Sequence, residues 1–259
     1  MSKKQRPIAK QPETRWIWLG LFTALFILVV SNDTWWRDAF GFLFPSQTEA
    51  LHPRAPLRIF LWEHLRMVGI SSFLSMAIGI PLGILTTRAW GKTLNPLVGH
   101  LTSLGQTFPP IAVLALAVPA LGFGLKPAVL ALFLYGLFPI VSSTSVALSG
   151  VPLTVLDSAR GMGMTPVQSL FRVEIPLGLP VILGGIRISV MVNIGTAMIG
   201  ALIGAGGLGS PVIAGLIQFN PAFILEGTLP AAFMAILASE FITTLELSAA
   251  HQPEPATAS

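Results

Sequence analysis

Apolar residues gather into six long runs, near residues 16–31, 60–87, 97–121, 127–149, 176–204 and 225–247, separated by polar and proline-bearing stretches. A hydrocarbon core of about 30 Å takes about 20 residues of helix. Each run therefore predicts one crossing, and the whole an all-α polytopic membrane protein of about six transmembrane helices. Small residues recur at every fourth position in two of the runs: Ser71, Ser75, Gly79 and Gly83 in the second, and Gly185, Ser189, Asn193, Ala197 and Ala201 in the fifth. Each row makes a narrow face along which another backbone can approach, so helix packing is the expected use. Asn193 departs from it, because an amide in lipid requires a partner or a water-lined cavity. Pro81, Pro109, Pro110, Pro119 and Pro139 stand in or beside the runs. A soluble helix loses ~3 kcal/mol to an interior proline, whereas in a bundle neighbouring helices re-satisfy the freed carbonyls.

The composition agrees with a chain immersed in lipid. Of 259 residues, 53% are hydrophobic and only 10% charged, against about 25% charged in a soluble domain. Absence of cysteine excludes disulfides and thiolate metal sites. The net charge of +4 needs no nucleic acid, since the excess of lysine and arginine in cytoplasmic segments accounts for basic membrane proteins. Residues 1–15 form a polar, basic tail with Lys3, Lys4, Arg6, Lys10 and Arg15. With that tail inside, Arg88, Lys92, Arg160 and Arg172 join it, and Arg37, Arg54, Arg58, Arg66 and Lys126 fall outside. Both termini are thus expected in the cytoplasm. No small-residue cleavage site follows the first run, and Trp35 and Trp36 suit a membrane interface, so the run reads as a retained span rather than a signal peptide. The expected organisation is the tail, a first span with its outer loop (16–56), a main membrane domain (57–247) and a disordered tail (248–259).

Between the fourth and fifth runs lies LDSARGMGMTPVQSLFRVEIPLGLP, residues 156–180. Thr154 with Asp157 reads as a capping box for a short helix. Gly161 and Gly163 interrupt it, and Thr165, Pro166 and Gln168 mark a second start, with threonine as N-cap, proline at the first position and glutamine closing the box. A bent helix pair at the membrane surface is expected, with Met162 and Met164 as adaptable apolar side chains at its bend. It suits either a docking element for a soluble partner or a bland amphipathic loop.

Two charges lie inside the spans. Arg187 is eleven residues beyond Pro176, about 16 Å in, and Glu240 about 10 Å from the end of the sixth span. Intramembrane ions need partners, so the two are expected to pair or to share a polar network. His64 and His100 stand near span ends without metal spacing and are expected at the interface. No metal site is expected. A membrane-embedded enzyme would need clustered acids or a nucleophile–base pair, and a secondary transporter an inverted repeat; neither is evident.

The stretch 156–180 resembles the EAA loop of permease subunits of bacterial ABC importers, whose pattern is E-A-A-x-x-x-G, nine residues, then I-x-L-P. Here the matching positions are Asp157-Ser158-Ala159, Gly163 and Val173-Glu174-Ile175-Pro176. Aspartate for glutamate and serine for alanine are the departures. The segments 62–85, 104–141 and 194–209 resemble the osmoprotectant branch, which imports glycine betaine, choline or carnitine. Methionine and phosphonate importers share the loop spacing and a glycine-rich stretch, and remain the alternative.

The resemblance implies a type I ABC importer transmembrane-domain fold over 57–247, with coupling loop 152–175. It implies a coupling helix, Asp157, Ser158, Ala159, Arg160, Gly161, Met162, Gly163 and Met164, seated in a separate ATPase subunit. It further implies a dimer of those ATPases, a second permease, identical or homologous, an extracytoplasmic substrate-binding protein and residence in the inner membrane. ATP and magnesium would belong to the ATPase, with no cofactor in this chain. The GAGGLG stretch, with Gly204, Gly206, Gly207 and Gly209, lacks the lysine and serine or threonine of a phosphate loop and reads as an outer turn. Tyr135, Phe138, Ser142, Thr144 and Asn193 are candidate pathway residues offering a mixed lining to a quaternary ammonium, with core packing the competing use. Arg187 and Glu240 are placed near an inner gate.

Overall fold

The computed structural model describes residues 12–250, except 89, 90, 92 and 94. The basic tail up to residue 11, Lys92 and the end of the C-terminal tail from 251 lie outside the described residues. Among the described residues eleven α-helices are formed: α1 (Pro12–Ser31), α2 (Asp33–Leu43), α3 (Leu57–Thr87), α4 (Asn95–Thr107), α5 (Pro110–Leu121), α6 (Leu125–Ser149), α7 (Leu153–Gly161), α8 (Pro166–Ser169), α9 (Ile175–Ala197), α10 (Gly209–Gln218) and α11 (Pro221–Ala250). A π-helical turn, Leu170–Glu174, leads into α9, and a 3-10 segment, Met198–Ile203, leaves it.

Among the described residues five helical stretches, containing α1, α3, α6, α9 and α11, are each long and apolar enough to cross a membrane, the fourth running from Pro166 to Ile203, and α4 with α5 makes a sixth if taken as one span. That pair is bent by 95°, within the span expected over 97–121. Pro109 and Pro110 explain the break. Pro109 sits in extended backbone as the N-cap of α5 and Pro110 begins it; neither can donate an N–H to the turn before. The C-terminal helix runs to Ala250, past the predicted start of a disordered tail at 248. Successive spans alternate in direction. The elbow α7–α8 therefore shares one end of the bundle with the start of α1 and the end of α11, joined there by Arg15 and Glu240 at 3.0 Å.

The small-residue rows pack as expected. A Cβ added at Gly79 would lie 2.9 Å from Ile140 Cγ2, and one at Gly83 2.5 Å from Thr144 Cβ, so α3 lies directly against α6. On the other side of α6, a Cβ at Gly178 would meet Ala147 at 3.1 Å, and Gly185 faces Ser143 and the Pro139 carbonyl. Around this three-helix contact, Met67, Leu114, Leu132, Ile194 and Met234 form the main buried cluster. The outer surface of α1, with Ile17, Leu21, Leu25 and Leu28 exposed, is what a lipid solvent requires. An apolar groove of about 870 Å³ is lined by α1 and α11.

Two surface helices escape the run pattern. In α2, Asn32 caps by accepting the Trp35 N–H, and α10 is a ten-residue helix beginning at Gly209. Both are too short to register as crossings.

Candidate functional site

The elbow is built by two helix starts of different kinds. Contrary to the predicted box at Thr154, α7 begins at Leu153 after Pro152, with no side-chain cap. Proline already fixes the entry dihedral, leaving the Thr154 carbonyl to accept from Ser158 Oγ at 2.8 Å, and Asp157 to pair with Arg160 at 3.0 Å. Both members of that pair are exposed, so it contributes little to stability. The second start follows the sequence reading: Thr165 Oγ1 accepts the Gln168 N–H, and Gln168 Oε1 accepts the Thr165 N–H. Between the helices the chain turns at Gly163, whose φ of +78° is the left-handed region that only glycine enters freely.

Ala159 is the buried anchor of α7. Ser158, Gly161 and Gly163 are exposed and Met164 half-buried, while Leu153 and Met162 are 73% and 70% exposed. With Val167 and Phe171 they present an apolar, ordered surface at the end of the bundle. Behind it, half-buried Arg88 and buried Glu174 form a two-point ion pair, with Nη2 to Oε2 at 2.6 Å and Nη1 to Oε1 at 3.2 Å. Arg88 appeared in the sequence only as a cytoplasmic charge and Glu174 only as an unconstrained motif position.

At mid-depth the Asn193 amide is partnered on its nitrogen alone: Nδ2 donates to Ser72 Oγ at 3.1 Å and lies 3.4 Å from Ser71 Oγ, while the buried Oδ1 accepts no hydrogen bond among the described residues. Tyr135, Thr144 and Asn193 are all buried in the packing of α3, α6 and α9. Phe138 and Ser142 instead line a groove of about 210 Å³ between α4 and α6, with Asn95, Gly99 and Thr102. The five candidate pathway residues thus divide between helix core and groove rather than forming one lining.

Arg187 and Glu240 do not pair. Arg187 donates to Thr243 Oγ1 at 2.9 Å and forms an ion pair with Glu246 at 3.5 Å, whereas Glu240 holds Arg15. Six residues at 3.6 per turn set Glu240 and Glu246 about 120° apart around α11, and only Glu246 is on the Arg187 side. His64 also departs from its expected interfacial place: it is fully buried, with Nε2 3.1 Å from the Ile194 carbonyl. His100 is exposed on α4.

The far end carries a polar cluster that the sequence hinted at only through its glycines. Gly204, Gly206 and Gly207 have φ of +72°, +81° and +81°, and Gly209 opens α10. The turn cradles a carboxylate of the chain itself: Gly207 N–H donates to Glu63 Oε2 at 2.7 Å. Arg54 from the preceding loop grips both Glu63 oxygens, at 2.8 and 2.7 Å, with its guanidinium 5.0 Å from the centre of the Phe60 ring. The same loop is pinned twice more, by His52 N–H to Glu226 Oε2 at 2.8 Å and by Asn220 Nδ2 to the Glu49 carbonyl at 2.9 Å. The His52 ring packs on Phe60 and Phe223. Burial, then the neighbouring Arg54 charge, hold its pKa below the ordinary histidine value. Among the described residues no group of three or more metal-ligating side chains gathers.

A bundle of helices long and apolar enough to cross a membrane, with an exposed apolar elbow at one end and a loop-covered polar cluster at the other, defines a polytopic membrane protein. Its class follows from comparison. Residues 79–250 match the family described as binding-protein-dependent transport system inner membrane component, and the chain belongs to that family. It is 40% identical over 185 residues to the carnitine transport permease protein OpuCB of Listeria monocytogenes, covering 71% of this chain and 84% of that one. It is 40% identical over 198 residues to the osmoprotectant import permease protein OsmY of Salmonella typhimurium, covering 76% and 84%. The choline transport system permease protein OpuBB of Bacillus subtilis is 37% identical over 185 residues, covering 71% and 84%. Among solved structures, an inward-facing form of the MetNI methionine ABC transporter superposes with a TM-score of 0.68 at 25% identity, over 74% of this chain and 95% of that one. The fold is that of type I ABC importer permeases, and the chain is a transport subunit.

Proposed function

We propose that this permease forms, with a second permease, the translocation pathway for a compatible solute such as glycine betaine, choline or carnitine. The observation that carries the substrate class is the identity of 37–40% to permeases named for carnitine, osmoprotectants and choline, above the 25% to the methionine transporter. Hydrolysis of ATP, with its magnesium, resides in a separate pair of ATPase subunits that seat on residues 157–164. A substrate-binding protein delivers solute at the opposite, extracytoplasmic end. The elbow, and with it both termini, then faces the cytoplasm, in keeping with Arg160 and Arg172 at that end. The groove beside Phe138 and Ser142 is the part of the pathway this chain contributes, completed by the second permease.

The test is copurification with the ATPase followed by ATP-dependent uptake in liposomes, with binding protein loaded with each candidate betaine. Uptake of a betaine supports the reading. Uptake of methionine alone transfers the substrate to the other branch, and uptake without any ATPase overturns the coupling.

A further inference from the structure

Two polar clamps hold α3 at its two ends, and both tie it to the segment containing α9. At the elbow end Arg88 terminates α3 in extended backbone, φ −80° and ψ 153°, and forks onto Glu174. Glu174 closes the π-helical turn that joins α8 to α9 and is 6% exposed. At the far end, Glu63 holds the Gly207 N–H just beyond α9, and His64 reaches the Ile194 carbonyl within it. The clamps stand at Glu63 and Arg88 of a single helix, about 37 Å apart along its axis at 1.5 Å per residue.

A π-helical turn is a widened, locally weakened stretch of helix, often found at functional sites. Left to itself, such a joint would let the elbow pivot without moving anything but the start of α9. The fork removes that freedom, because two parallel guanidinium–carboxylate bonds fix orientation as well as distance, which a single point charge does not. Burial of Glu174 keeps water from competing for it.

Resting on the reading of the elbow as the ATPase-gripped element, we infer that the Arg88–Glu174 fork is a strut through which displacement of α7 and α8 is delivered to α3 as well as α9. Arg88 and Glu174 are then positioning residues for transport, and α3 is a second driven span that carries the movement to Glu63 and the glycine turn at the far end.

The chain has no cysteine, so the pair Arg88→Cys and Glu174→Cys can be joined by a reducible bis-methanethiosulfonate bridge and released with dithiothreitol in one preparation, separating coupling from folding. In liposomes holding the complex with its ATPase, solute moved per ATP is expected to match wild type when bridged. On release it should fall about fivefold or more, the low end of couplings between distant sites, with ATP hydrolysis continuing. Arg88→Lys, which keeps the charge and loses the fork, is expected to lower the ratio similarly. An unchanged ratio in the released pair or in Arg88→Lys overturns the strut alone. A wild-type complex that moves no solute on ATP overturns the permease reading and the strut with it.

Discussion

Gly83 on α3 lies so close to Thr144 on α6 that a Cβ there would stand 2.5 Å from the Thr144 Cβ and 2.9 Å from the Val141 carbonyl. The obstruction is backbone and a β-branched side chain, neither of which can swing aside. Gly83→Ala should therefore force the two helices apart, at a cost of about 1–3 kcal/mol, the usual penalty of overpacking. Gly69, on the same helix, has nothing within 4 Å of its added Cβ, and Gly69→Ala is expected to be neutral or mildly stabilising. Thermal unfolding in detergent of the two variants beside wild type measures the difference. Equal melting temperatures would mean that α3 and α6 do not meet along this row.

The charge on α9 gives a sharper comparison. Since Arg187 reaches Glu246 and Thr243 rather than Glu240, Glu246→Gln should destabilise the protein by about 1–2 kcal/mol. That is less than for a fully buried pair, because Arg187 is partly exposed. Glu240→Gln removes a half-exposed bond to Arg15 and should cost under about 1 kcal/mol. Unfolding of both variants in the same detergent ranks them. The opposite order would restore the pairing expected from depth alone.

That case also marks what was legible in the sequence. Depth in the membrane follows from counting residues, so the need of Arg187 for a partner could be read in advance. The partner's identity depends on the rotation of α11 about its axis, which neither hydropathy nor proline placement fixes in a helix apolar on all sides. The small-residue rows were readable because four-residue spacing is itself a statement about one face. The elbow was readable because its second capping box and its glycines are local chemistry. The far-end clamps were not: Glu63 meets the Gly207 N–H and Glu226 the His52 N–H across 144 and 174 residues of sequence, contacts made only by the packing of α3, α10 and α11. The buried place of His64 was hidden for the same reason, its acceptor being the Ile194 carbonyl 130 residues away.

The loop over the far end should loosen in acid. His52 is held neutral, its pKa lowered by burial and by Arg54, and its Nδ1 accepts the Arg54 N–H at 3.2 Å. Because the folded-state pKa lies below the unfolded one, the unfolded loop binds more protons in the interval between them. The stability contributed by neutral His52 is thus full above pH about 6.5 and lost progressively as pH falls toward the folded value. Hydrogen exchange of the backbone amides of residues 48–56 is the direct measure. Faster exchange at pH 5 than at pH 7.5, corrected for intrinsic rates, is expected in wild type, with a smaller pH dependence in His52→Gln. An identical profile in the two proteins would remove His52 from the account.

The elbow offers a test in which binding and folding part company. Met162 is solvent-facing beside Gly163, so Met162→Asp leaves no cavity and breaks no hydrogen bond within the chain; its melting temperature should match wild type. On a partner's apolar groove the same change removes a buried thioether and introduces an unpaired charge. Loss of even ~1.4 kcal/mol weakens association about tenfold, and burial of a side chain of this size is worth about 1.5–3 kcal/mol. Gly163→Val acts by another route: with φ at +78° a β-branched residue is strained by about 1–2 kcal/mol, which should unseat Met164 and reorient α7 against α8. Both variants are expected to lose the ATPase subunits on copurification, Met162→Asp without any loss of thermal stability. Retention of the full ATPase complement by Met162→Asp would place the contact elsewhere, and leave the exposed methionine as an ordinary surface side chain.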